Sequence, residues 1–348
     1  MTFTDRERFD VICVGDTATD VYVNLSAVKA HIHWGEGDPE LVLPFGAKVP
    51  YESTVTVAAG GNAANAAVAC ARLGLRVGLA TYLGADQLGR DLVAALHDEG
   101  VSSSLVRLDP DAPTNRHFVL RLGPERTILV RHEAYDYNWP HLRPEEVPAW
   151  LYLSSAGRDA HDYEEQIADW LEQNPSVELA FQPGTFQIAA GATRLARLYR
   201  RSSLVVCNRE EAAQIAGIER TDQVDALLDG LLALGPRQVV VTDGLAGASA
   251  ATATERYEVP VYPDPEPPID RTGAGDAFTA TLLAYLVRGS ALEGALLRAP
   301  VNAMNVVHSI GTQAGLLHPG QLATYLGTRP PDFGVRTLHP VHPAPPAT

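Results

Sequence analysis

Between residues 150 and 242, four short apolar runs (150–153, 177–182, 204–207 and 238–242) alternate with helical segments near 162–172, 190–200, 209–216 and 222–234. No other feature restricts the fold as much. Parallel neighbours need long crossover connections, and helices placed between strands supply them while covering both faces of the sheet. The uninterrupted apolar runs agree with strands buried on both sides. The N-terminal part repeats the unit: 9–15 (FDVICVG) reads as a buried strand, the alanine-rich 61–73 as a helix closing at Gly74, and 75–83 as the next strand. A further helix fits 87–99. The expectation is an α/β three-layer sandwich with a mostly parallel central sheet and helices on both faces.

Two stretches interrupt this rhythm. Residues 20–58 mix His, Trp, Pro and Gly with short apolar pieces, and 116–122 with 127–132 alternate around a turn at 123–125, as a hairpin does. Segments 20–58 and 113–138 are therefore expected to form a small β-rich lid beside the main sheet. An antiparallel stretch at 246–261 and helices at 275–288 and 292–309 complete a single domain spanning 1–327. Residues 328–348, rich in proline and histidine, read as a loosely held tail.

Composition narrows the function. With 46% hydrophobic and 20% charged residues, the chain can bury a large core. Its 27 basic and 42 acidic residues give a net charge of −15 with no Lys/Arg cluster, so nucleic acid is not an expected partner. A small anionic ligand remains compatible, because local amides and a metal ion can neutralise it. Cys13, Cys70 and Cys207 lack metal or disulfide spacing and read as buried thiols. The charged start and the lack of an apolar run of ~20 residues predict a cytoplasmic protein with no membrane span.

The segment 270–278 (DRTGAGDAF) directly precedes an apolar helical run. Gly273 and Gly275 let successive N–H groups converge at a helix N-terminus, where the macrodipole favours an anion such as phosphate. No Gly-Lys-Ser/Thr follows, so this anion site works through backbone amides. Asp276 is then out of place beside a phosphate, unless it accepts the proton of an attacking hydroxyl. The competing reading is a first-turn acid that only stabilises its own helix.

Asp270, Arg271, Thr272, Gly273, Ala274, Gly275 and Asp276 resemble the D-T-x-G-A-G-D signature of the ribokinase-like, or PfkB, carbohydrate kinases, with arginine at the second position. A second signature of that family, a glycine pair opening a helix, is similar to Gly60, Gly61, Asn62, Ala63, Ala64 and Asn65. Further resemblances run over 9–326. Gly15, Asp16 and Asp20 look like the first substrate loop, and Gly84, Asp86 and Gly89 like the G-x-D-x-x-G turn. Asn208 and Glu211 look like N-x-x-E, and Thr242, Asp243 and Gly244 like the turn beside the nucleotide. Asn62 and Ala18 replace a lysine and an asparagine common in ribokinases proper, and 181–186 (FQPGTF) departs from the usual turn. The resemblance is thus to the superfamily rather than to ribokinase itself.

The resemblance implies a ribokinase-like fold and transfer of the ATP γ-phosphate to a hydroxyl of a sugar or polyol. Asp276 would be the base, with Gly273, Ala274 and Gly275 as the anion hole. Asp20 and Asn65, with Gly60 and Gly61, would hold the acceptor. Asn208, Thr242, Gly244 and Asn305 would lie at ATP, and Glu211 would organise Mg2+ through water. Asp270 and Thr272, with 309–311, lie where some members bind a monovalent cation such as K+. Aromatic lid residues Phe45, Tyr51, Tyr135, Tyr137 and Trp139 either stack on substrate or form the lid's own core. The lid edge also suggests a homodimer. Two alternatives stay open: a nucleoside kinase of the same fold, and a catalytically silent regulator binding sugar or nucleotide. An NAD-dependent enzyme would need a G-x-G-x-x-G after the first strand, which is lacking.

Overall fold

The computed structural model describes residues 8–35, 39–123, 125–219 and 223–338. From β1 (Val11–Val14) the chain enters a smaller sheet through β2 (Ala18–Leu25) and β5 (Tyr51–Gly60), between which β3 (His31–His33) and β4 (Glu40–Val42) form a separate two-stranded pair. Helix α1 (Asn62–Arg72) returns it to the main sheet at β6 (Val77–Gly84), followed by α2 (Gln87–Asp98), β7 (Val101–Ser102) and β8 (Val106–Asp109). The smaller sheet then gains β9 (Arg116–Leu122) and β10 (Glu125–Leu129).

Alternation follows through β11 (Trp150–Leu153), α3 (His161–Gln173), β12 (Glu178–Phe181), α4 (Thr185–Ala190), α5 (Ala196–Arg201), β13 (Leu204–Asn208), α6 (Arg209–Ala216), α7 (Val224–Leu232) and β14 (Gln238–Thr242). Strands β15 (Ala248–Thr252) and β16 (Arg256–Val259) lead to α8 (Ala274–Val287), α9 (Leu292–Leu296), α10 (Ala299–Val306), α11 (Pro319–Gly327) and β17 (Arg336–Leu338).

The main sheet runs β17-β16-β15-β14-β13-β12-β11-β1-β6-β7, with β8 also on β6. Pairing is parallel from β14 to β7 and antiparallel from β14 to β17. Successive strand residues point to opposite faces, and this period of two divides the core in half. Val11, Cys13, Leu79, Tyr152, Ala180, Val206 and Val240 meet α1, α2, α8, α9, α10 and α11. Ile12, Val14, Ala80, Leu151, Phe181, Val205 and Val241 meet α3, α5, α6 and α7. Helix α8 is apolar all round because it lies inside the first of these halves, against α1 and α10.

The smaller sheet has the order β10-β9-β2-β5, with β2 antiparallel to β5 and parallel to β9. Its main pair is longer than the short strands expected for 20–58: β2 has eight residues and β5 ten. The expected turn at 123–125 includes residue 124, which lies outside the described residues.

The helix expected near 190–200 begins only at Ala196 as α5, because Gly191, at φ +90°, ends the preceding α4, and the helix expected at 292–309 is split. Pro300 in the first turn of α10 cannot donate to the preceding turn, which separates α9 from α10. Within the segment read as a tail, Arg336–Leu338 pairs antiparallel with β16 as the edge strand, while 339–348 lies outside the described residues. Among the described residues no helix is long and apolar enough to cross a membrane. The three thiols are free and buried, as their apolar surroundings imply.

Candidate active site

The N-terminus of α8 forms the floor of the site. Gly273 caps the helix at φ +87° and ψ −3°, and a Cβ there would come within 2.8 Å of Thr312 Cα, so only glycine fits the turn. The first intrahelical bond closed from this end is Ala277 N–H to Gly273 O. The N–H groups of Ala274, Gly275 and Asp276 precede it and have no intrahelical acceptor. Gly275 is exposed, with nothing within 4 Å of where its Cβ would be, which leaves room for a ligand against those amides.

Asp276 is the third residue of this helix. Asn65, buried on α1, donates from Nδ2 to Asp276 Oδ2 at 2.8 Å. The Asn65 carbonyl oxygen accepts from Thr312 Oγ1 at 2.7 Å and Gln313 Nε2 at 3.0 Å, which fixes the amide orientation. Gln182 also donates to the carboxylate, and its own Oε1 accepts from Tyr152 Oη at 2.9 Å. Burial pushes the Asp276 carboxyl above its ordinary 3.8; the Asn65 and Gln182 hydrogen bonds oppose this, the Asp20 charge adds to it, and Arg126 opposes it, leaving a net upward shift. Asn65, expected to grip substrate, thus has its side chain on the acid instead.

Asp20 lies near the start of β2, buried, with His117 Nδ1 of β9 at 3.3 Å from Oδ1. The glycine pair makes room for it: a Cβ on Gly60 would fall 2.2 Å from Asp20 Oδ2, and one on Gly61, at φ +92°, would fall 2.9 Å from Asp16 O. Gly60 and Gly61 therefore act here through close backbone approach. Asp16 accepts from Tyr137 Oη at 2.8 Å, and His132 Nδ1 stands 3.6 Å from its other oxygen. The His132 ring meets His117 at 5.6 Å and Phe186 at 5.1 Å. Tyr135, Tyr137 and Trp139 belong to an aromatic core with Tyr82 and Tyr163, whereas Phe45 and Tyr51 are exposed.

On the other side of α8 lies a pocket of about 260 Å³ lined by Thr242, Gly244, Tyr262, Ala274, Gly275 and Phe278 and by one stripe of α10. That stripe is Pro300, Ala303, Met304 and Val307, the spacing of one helix face. Asn305 is off it: its side chain donates to Gly315 O at 2.8 Å and accepts from Tyr325 Oη at 2.9 Å, so the structure does not bring it to the pocket. Asn208 caps α6, accepting Glu211 N–H at 2.8 Å, while Glu211 accepts Asn208 N–H at 2.9 Å. Burial raises the Glu211 carboxyl, the Asn208 hydrogen bond opposes that, and the nearby Asp276 charge adds to it.

Asp270 is completely buried; its Oδ1 accepts from Thr272 N at 3.0 Å and Thr272 Oγ1 at 2.6 Å. Sequence reading missed Gln182, His117, His132, Thr312 and Arg121. A signal for Gln182 existed in the departure of FQPGTF, which puts an amide where the strand leaves the sheet beside Asp276.

A mixed sheet under helices, with a capped glycine turn presenting one acid between an apolar pocket and a polar cleft, defines a ribokinase-type small-molecule kinase fold. The pfkB family carbohydrate kinase profile matches residues 10–319, and the chain belongs to that family. It is 29% identical over 289 residues to the aminoimidazole riboside kinase of Salmonella typhimurium, covering 77% of this chain and 88% of that protein. It is 30% identical over 280 residues to fructokinase-1 of Oryza sativa subsp. japonica, covering 72% and 84%. The solved Arabidopsis thaliana ribokinase complexed with ribose and ATP superposes with a TM-score of 0.74 at 21% identity, over 93% of this chain and 99% of that one. The Methanocaldococcus jannaschii nucleoside kinase superposes with a TM-score of 0.73 at 20% identity, over the same shares.

Proposed function

We propose that this kinase transfers the γ-phosphate of ATP to a hydroxyl of a sugar or polyol, with Asp276 as general base. The observation that carries the proposal is the pairing of the open α8 amides with an adjacent carboxylate whose proton affinity its surroundings have raised. The apolar pocket beside Thr242 and Gly244 suits the adenine and ribose of ATP, with the phosphates reaching the Gly273, Ala274 and Gly275 amides.

Asp20, with His117 at its flank, accepts hydrogen bonds from acceptor hydroxyls, and Asn65 and Gln182 hold Asp276 toward them. Asp276 takes the proton of the attacking hydroxyl, and the α8 amides stabilise charge on the transferred group. Glu211, close enough to Asp276 to feel its charge, would hold Mg2+ through water, and the ion would add to the neutralisation of the phosphates. The smaller sheet excludes water as a lid, limiting hydrolysis.

A nucleoside acceptor is the second reading, favoured by the His132 and Phe186 rings beside Asp16, which offer a face for a flat base. ADP release with Mg-ATP across hexoses, pentoses, inositols and nucleosides tests both. Turnover on one class assigns the acceptor, and no turnover across the panel favours a silent binding protein.

A further inference from the structure

The Asp270 carboxylate raises a question of charge. It is 0% exposed, and beyond the two bonds from Thr272 its Oδ2 accepts from Gly311 N at 3.0 Å. A buried carboxylate held only by neutral donors carries a large desolvation cost, and a nearby positive charge offsets it. That charge comes from Arg121, itself 5% exposed, whose Nε lies 3.8 Å from Asp270 Oδ2. Arg121 belongs to β9 of the smaller sheet, whereas Asp270 opens the loop into the α8 amides. The guanidinium also donates to Ile269 O, to Gly123 O at 3.3 Å and to Asn24 Oδ1 at 2.5 Å.

The sequence expectation of K+ at Asp270 and Thr272 does not fit this arrangement. Each Asp270 oxygen already serves protein donors, and an added cation would face a guanidinium fixed beside it. We propose that Arg121 is a built-in cation: a positioning residue that neutralises Asp270, holds the 269–273 turn in its anion-binding form and fastens it to the lid, so that the protein needs no monovalent ion. The effect on turnover rests on the kinase reading; the effect on the fold does not.

The test compares the full-length protein in a tetramethylammonium buffer with and without added K+, reading both turnover and thermal melting. Specific binding of K+ to the folded state would raise the melting temperature beyond what an equal amount of Na+ does. The expected result is no K+-specific rise and a change in kcat under about twofold. An Arg121→Ala variant is expected to lose about tenfold or more in kcat with a smaller change in acceptor KM, to regain part of it with low guanidinium or K+, and Arg121→Lys to lose less. A K+-specific rise in wild-type melting, or strong K+ activation, overturns the proposal. So does a folded Arg121→Ala protein with unchanged kcat, or with a loss that neither cation restores. Melting is read without substrate, so an unsuitable acceptor panel, which bears only on the kinase reading, leaves this answer intact.

Discussion

Asp276 sits among opposing influences, and their balance sets what its carboxylate can do. Burial and the Asp20 charge favour its protonated form while Asn65 and Gln182 favour the charged one, with a net upward shift from 3.8. If the charged form is the base, as proposed, kcat/KM should rise with pH along an acid limb centred above 3.8. Gln182→Ala removes a hydrogen bond to the charged form, so the limb should move to higher pH, with kcat falling about tenfold at neutral pH; an unmoved limb contradicts the contact. The stability sign is the reverse of the catalytic one. A carboxyl raised in the folded state adds stability at low pH that is lost as pH rises through its folded pKa, so Asp276→Asn should melt higher than wild type at neutral pH. Gly60→Ala would place a methyl 2.2 Å from Asp20 Oδ2 and should raise acceptor KM about tenfold while leaving ATP KM unchanged. The glycines and Asp276 were readable because their spacing is local. His117 and Thr312 were not, because their meaning lies in contacts across the fold, as in the Asn65–Asp276 bond between residues 211 apart in the chain.

At the level of elements, the βα alternation was legible in outline and its interruptions were not. Strands β1, β11, β13 and β14 stand close to where their apolar runs lie, since burial on both faces leaves no polar position to confuse the pattern. Strands β7 and β8 escaped notice because residues 101–109 are short, polar and recruited to the sheet by β6 rather than by their own pattern. The G-x-D-x-x-G turn proved to be a clamp. Asp86 caps α2 through Gly89 N at 2.8 Å and also accepts Thr114 Oγ1 at 2.7 Å and Thr114 N at 3.0 Å, tying the helix to the entry of β9. Asp86→Ala should therefore cost about 1–2 kcal/mol in urea unfolding, more than a cap that serves its helix alone; a loss below about 0.5 kcal/mol would show that the Thr114 bonds are dispensable.

At the scale of the whole molecule, the chain visits the smaller sheet twice, through β2 to β5 and again through β9 and β10. Tyr51 of the smaller sheet is 61% exposed, and in the β2–β5 connection Trp34 is 74% and Phe45 107% exposed; the edge strands of the sheet are β5 and β10. Such a face and such edges favour association, so a homodimer through the lid is expected, with Phe45→Glu shifting the mass in solution toward the monomer; a wild-type monomer at all concentrations would contradict that. The rate of phosphoryl transfer in a single turnover, with ATP and acceptor saturating, compares wild type with Asp276→Asn free of binding and product release. The account predicts a fall of about a hundredfold or more with ATP affinity retained, and equal rates would contradict it.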